Sequence, residues 1–161
     1  MMKIEVHCVG RLKDAFFEEA CREYAKRLGA YCQLKIVEHP EARLPGDPAP
    51  AEIERALQIE GETLLASLPQ KGAAIVALCI EGKELSSNGL ADWLDQSATQ
   101  GRSCLCFVIG GSHGLHDSVK GRADLRLSMS PMTFPHTLAR VMLLEQLYRA
   151  YAILGGSKYH K

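Results

Sequence analysis

The sequence predicts an α/β fold, a mainly parallel sheet with helices on both faces. Three observations carry that prediction. Apolar runs of strand length alternate with segments whose apolar residues recur at three and four positions, the period of one helical face. Two of the runs, Ala73 to Ile80 and Cys104 to Ile109, are continuously apolar, as central strands covered on both faces are. Three of the runs lead straight into glycine- or proline-rich turns: Glu81-Gly82-Lys83, Gly110-Gly111-Ser112-His113-Gly114 and Ser130-Pro131-Met132-Thr133-Phe134-Pro135-His136. Loops beyond the carboxyl ends of parallel strands share one edge, where such folds hold small ligands, so the three turns are expected to form one binding site.

The elements follow in order. Lys3 to Val9 alternates like a strand and Gly10 ends it. From Asp14 to Leu28 the residues Phe17, Ala20, Cys21, Tyr24, Ala25 and Leu28 share a helical face, and Gly29 stops the helix. Leu34 to Val37 lies in a second strand. Pro40, Pro45, Pro48 and Pro50 then withhold the backbone donors that regular structure needs, which predicts a loop. Ile53, Ala56, Leu57, Leu64, Leu65 and Leu68 mark a long helix interrupted by Gly61. After the strand at Ala73 to Ile80, closed by Glu81-Gly82-Lys83, Ser87 is expected to cap a helix that turns Leu90, Ala91 and Leu94 inward. Cys104 to Ile109 is the next central strand. A short helix over Val119 to Ala123, a core strand over Leu125 to Met129 and a long helix from His136 to about Leu154 complete the chain, with Gly155-Gly156 as the stop.

At 161 residues the chain suits a single domain, 1–161, with a substantial core. Lysine plus arginine equals aspartate plus glutamate at 19 each, which argues against indiscriminate coating of nucleic acid. The basic residues Arg140, Arg149, Lys158 and Lys161 lie near the end of the chain, so an anionic partner is expected to dock there. The amino terminus lacks the apolar stretch of a secretory signal and no membrane-spanning run is present, so a soluble cytoplasmic protein is expected. None of the six cysteines stands in C-x-x-C spacing; they read as buried structural thiols, with no metal.

The turn Gly110-Gly111-Ser112-His113-Gly114 matches G-x-S-x-G, the nucleophile elbow of serine hydrolases, with Asp117 or Asp124 and then His136 in the order of a triad. Against that reading, the chain is short, has no upstream HGGG-like segment, and the Ser130 to His136 turn would have no role. No G-x-x-x-x-G-K-[ST] or GxGxxG motif follows any strand, so nucleoside triphosphates are not expected. Glycines do let a flat adenosine approach the backbone closely.

Four stretches carry a family resemblance. They are Ile109-Gly110-Gly111-Ser112-His113-Gly114-Leu115, then Met132-Thr133-Phe134-Pro135-His136, then Arg140-Val141 through Glu145-Gln146-Leu147-Tyr148-Arg149-Ala150, and the ending Tyr159-His160-Lys161. Together with the turn Val9-Gly10-Arg11-Leu12-Lys13, they resemble the ribosomal RNA large subunit methyltransferase H (RlmH) family of the SPOUT class over essentially the full chain.

The resemblance implies an α/β-knot with a deep trefoil knot in the carboxyl-terminal part, approximately residues 73–161. It implies S-adenosylmethionine held by the three turns, a homodimer with its site near the subunit interface, and methylation of N3 of a pseudouridine in helix 69 of 23S rRNA within the assembled ribosome. Carried over by motif, the cofactor residues are Leu78, Gly110, Met129, Ser130, Pro131, Met132, Thr133 and Phe134. His136, Arg140, Tyr159 and His160 are the catalytic candidates for holding the base, stabilising the developing anion or accepting the proton. Two other readings stand beside this one: a serine hydrolase using Ser112, and a non-catalytic ribosome-binding module.

Overall fold

The computed structural model describes residues 1–161. In chain order the elements are β1 (Lys3–Val9), α1 (Ala15–Leu28), β2 (Gln33–His39), α2 (Pro50–Ser67), β3 (Ala73–Glu84), α3 (Ser87–Thr99), β4 (Cys104–Ile109), α4 (Asp117–Arg122), β5 (Leu125–Ser128) and α5 (His136–Leu154). The five strands form one sheet in the order β2-β1-β4-β3-β5, and every neighbouring pair is parallel. All carboxyl ends therefore meet at one edge.

Alternation along the strands divides the core between two faces. Ile4, Val6, Cys8, Val76, Leu105 and Phe107 join Leu28 of α1, Leu90 and Leu94 of α3 and Leu143, Leu144 and Leu147 of α5. Val9, Ile75, Ala77, Cys106 and Val108 join Leu64 of α2, Leu68 just beyond it and Val119 of α4 on the other side. All six residues of β4 are buried, the reason its run is unbroken by polar residues. Helix α5 packs against both α1 and α3 and is apolar nearly all round, as expected of a central helix.

Two local expectations are corrected. Glu81-Gly82-Lys83 does not close β3: the strand continues to Glu84, and its pairing shifts so that Leu78 and Lys83 both lie opposite Leu127. The residues between them bulge out over β5, and a Cβ on Gly82 would stand 2.7 Å from the Arg126 carbonyl, so glycine is required for that approach. The cap of α3 is Ser86, whose hydroxyl accepts from the Gly89 N–H at 2.9 Å. Ser87 instead donates to Oε1 of Gln146 at 2.7 Å, tying α3 to α5. No helix is long and apolar enough to cross a membrane.

Candidate cofactor cleft and the polar cleft beside it

The ends of β3, β4 and β5 enclose a cleft of about 760 Å³, within the size range of small-ligand sites. Leu78, Ile109 and Leu127 line it from the strands, Gly110 to Leu115 from the turn after β4, and Met129, Ser130, Met132, Thr133 and Phe134 from the turn after β5. His136 and Ala139 close it from the first turn of α5. The predicted cofactor residues thus face one cavity, except Pro131, which is exposed and lies outside the lining.

The backbone explains the shape of the turns. The Gly114 N–H donates to the Gly111 carbonyl at 3.1 Å, folding the turn so tightly that a Cβ on Gly110 would stand 2.3 Å from the Gly114 oxygen. After β5, the Ser128 hydroxyl donates to the Ser130 carbonyl at 3.1 Å, and the Ser130 hydroxyl accepts from the Met132 N–H at 3.0 Å. Serine side chains therefore hold this turn, while Met132 is 72% exposed. Cys79 is half-buried and lines the cleft, unlike the five other cysteines, which are buried.

A second cleft, of about 660 Å³, adjoins the first at the ends of β1 and β2. Its lining is polar: Gly10, Arg11, Lys13, Asp14, Glu38, His39, Pro40, Glu41 and Thr137, together with Ser112 and His136, which also line the cofactor cleft. His136 is the first residue of α5 and does not cap it, because Pro135 holds the cap position. Its Nε2 lies 3.9 Å from Oε1 of Glu41.

Arg140 is 4% exposed and lines neither cleft. Its guanidinium donates to Oε2 of Glu38 at 2.8 Å and to the Gly10 carbonyl at 3.2 Å, fastening α5 to the ends of β1 and β2. The tail lies elsewhere. The Tyr159 hydroxyl donates to Oε1 of Glu145 at 3.1 Å, Arg149 donates to the same carboxylate at 2.9 Å, and His160 Nδ1 accepts from Arg149 at 3.2 Å. The Arg149 guanidinium sits 4.8 Å over the Tyr159 ring, a cation–π contact. Burial and the Glu145 hydrogen bond push the Tyr159 phenol up to about 12. At 1.5 Å per helical residue, Arg149 stands about 20 Å along α5 from His136. Within one chain Tyr159 and His160 do not reach the cleft. Arg140 and Arg149, expected as anchors for an anionic partner, are spent on Glu38 and Glu145; Lys158 and Lys161 make no ion pair.

A serine triad is not assembled. Ser112 has no hydrogen bond to His136, Asp117 opens α4, and the Asp124 carboxylate accepts from the Ile75 N–H at 2.7 Å toward the opposite edge of the sheet. One donor cluster escaped the sequence reading: ligand atoms of Glu5, Cys104 and Cys106 lie within 4.8 Å of one another. It sits at the start of β4, about 20 Å from the cleft by strand rise. Glu5 there accepts from His7 at 2.8 Å, and burial, the nearby Cys104 and Glu5 hold the Cys106 thiol protonated. Glu41 and the Gly10 to Lys13 turn were also missed as site residues. Each follows a strand, as the cofactor turns do, but only the sheet order brings the ends of β1 and β2 beside β4.

The family model described as "Predicted SPOUT methyltransferase" matches residues 2–160. Methyltransferases of that family generally take the methyl group from S-adenosylmethionine. The cleft suits such a molecule: apolar strand ends offer a surface for adenine, and folded glycine and serine turns bring backbone groups to its rim. Over almost its entire length, then, the chain belongs to the SPOUT methyltransferase family.

Proposed function

We propose that this protein methylates N3 of a pseudouridine in helix 69 of 23S rRNA, on the assembled ribosome in the cytoplasm, using S-adenosylmethionine and acting as a homodimer. The observation that carries the reading is the convergence of β3, the turn after β4 and the turn after β5 on one cleft that His136 also lines. The motif resemblance supplies the substrate, and the second, polar cleft supplies room for it beside the cofactor.

When bound, S-adenosylmethionine supplies a methyl group on a positively charged sulfur that departs with the bonding electron pair. The residues of the chain then have two tasks, to hold N3 in line with that methyl group and to take its proton. His136 stands where both clefts meet and is the residue placed to do so. Arg140 acts as a positioning residue, fixing the first turn of α5 through Glu38 and Gly10. Tyr159 and His160 serve the cleft of the other subunit, since their own cleft lies about 20 Å away along α5. In this reading the docked tail is a stored state, and its ring and imidazole engage the base once released from Glu145 and Arg149.

The connection from β4 to β5 crosses β3 on the α4 face, and α5 then returns to the α3 face. We take this return as the threading step of a trefoil knot over approximately residues 73–161. Mass spectrometry of 23S rRNA from a deletion strain tests the substrate. Loss of one methyl group from one pseudouridine, restored by the wild-type chain, is expected; an unchanged methylation pattern would refute it.

A further inference from the structure

The turn Gly10 to Lys13 and the residue Glu41 have no part in the cofactor cleft, yet they surround the second cavity that meets it at Ser112 and His136. No hydrophobic residue lines that cavity, so it is unsuited to an apolar ligand. Its charged groups are of both signs. Glu38 is neutralised by Arg140. Arg11 and Lys13 are exposed and make no ion pair or side-chain hydrogen bond in the chain. The Asp14 and Glu41 carboxylates are likewise without a hydrogen-bond donor, and Glu41 is seated against glycine: a Cβ on Gly10 would stand 3.1 Å from its Oε1 and one on Gly111 3.4 Å.

Free cations beside carboxylates that no hydrogen-bond donor occupies match a nucleotide better than a bare anion. A phosphodiester needs the cations. A pseudouracil ring, attached to its sugar through carbon, presents two imino N–H groups where uracil in RNA presents one, and a carboxylate accepts from such a group. We propose that this polar cleft receives the target nucleotide, with Arg11 and Lys13 on its flanking phosphates and Glu41 accepting an imino N–H of the ring beside His136. This inference rests on the reading of the chain as an RNA methyltransferase and adds the substrate subsite to it. Ser112, which matched a nucleophile elbow, becomes part of the wall between cofactor and base.

The test compares the wild-type protein with Arg11→Ala/Lys13→Ala and with Glu41→Gln, using undermethylated ribosomes and radiolabelled S-adenosylmethionine. The double variant is expected to raise KM for ribosomes about tenfold and to lower the salt slope of ribosome binding by about two, one for each lost phosphate contact. Glu41→Gln is expected to narrow the preference for undermethylated ribosomes carrying pseudouridine over those carrying uridine at the target at least fivefold, because the neutral amide oxygen accepts more weakly than a carboxylate. Cofactor affinity, read by calorimetry, should stay within twofold in all forms. An active wild-type enzyme whose variants keep KM, salt slope and base preference would overturn the subsite alone. A wild-type protein that binds the cofactor but methylates no ribosome overturns the underlying reading, and the subsite with it.

Discussion

At its amino end α5 sets Arg140 against Glu38, a partner 102 positions away in sequence, while at its carboxyl end Arg149 meets Glu145 only 4 positions away. The first pair is buried on the arginine side and draws β1, β2 and α5 together. The second is a helix-surface pair onto which Tyr159 and His160 have folded. The same chemistry thus ties three elements together at one end and holds the tail against its own helix at the other. That contrast sorts the four catalytic candidates, alike in sequence, into three positions: His136 lines the cleft, Arg140 fastens α5 beside it, and Tyr159 and His160 rest on Glu145 and Arg149.

The sharpest way to break the contrast is to delete Lys158 to Lys161. Methyl transfer should fall at least about a hundredfold, the usual worth of a lost acid–base or positioning group, while cofactor affinity by calorimetry stays within twofold. Equal loss of both would merge the two regions into one. Next in size, Gly110→Ala should weaken cofactor binding by more than tenfold, since its Cβ would meet the Gly114 oxygen at 2.3 Å and force the turn open. Gly114→Ala meets no atom within 4 Å but has φ +83°, so it should cost only about 1 kcal/mol of stability.

Urea denaturation separates the two arginines. Arg140→Met strips hydrogen bonds to a charged partner from a buried site and should cost about 2 kcal/mol. Arg149→Met removes a partly exposed i,i+4 pair and its cation–π contact to Tyr159 and should cost about 1 kcal/mol. Equal costs would mean that the amino-end pair is not architectural.

The smallest effect is in pH. Burial and the neighbouring His7 lower the pKa of His39, at the cleft end of β2, so its folded form prefers the neutral ring. The stability this contributes is complete above 6.5 and is lost as pH falls through the lowered value. Tyr159 behaves in the opposite sense: its phenol is raised to about 12, so tail docking is complete below 10 and is lost as pH rises through about 12. Acid should therefore loosen the β2 end and alkali the tail, which hydrogen exchange at each site measures.

Most of the fold was legible because its signals are local. Alternation and three-four spacing located every strand and helix, and the unbroken apolar runs marked β3 and β4 as central. The bulge in β3 was not legible, since Glu81-Gly82-Lys83 has the composition of a terminating turn and only the approach of the Arg126 backbone shows why the glycine is there. The choice of Ser86 over Ser87 as cap turned on Gln146, a partner 59 positions away. The cofactor turns were readable because each directly follows a strand. Glu41 and Arg11 were not singled out, because their role depends on β1 and β2 lying beside β4, a strand order that no local pattern contains.

The central claim is that cleft and tail of one working site come from different subunits. Mixing Gly110→Ala subunits with tail-deleted subunits, then assaying methyl transfer to undermethylated ribosomes, tests it most directly. A random mixture is half heterodimer, and each heterodimer would pair one intact cleft with the intact tail of its partner, so about a quarter of wild-type activity should return. A mixture as inactive as either parent, despite proven heterodimers, would contradict the claim and place tail and cleft in the same chain.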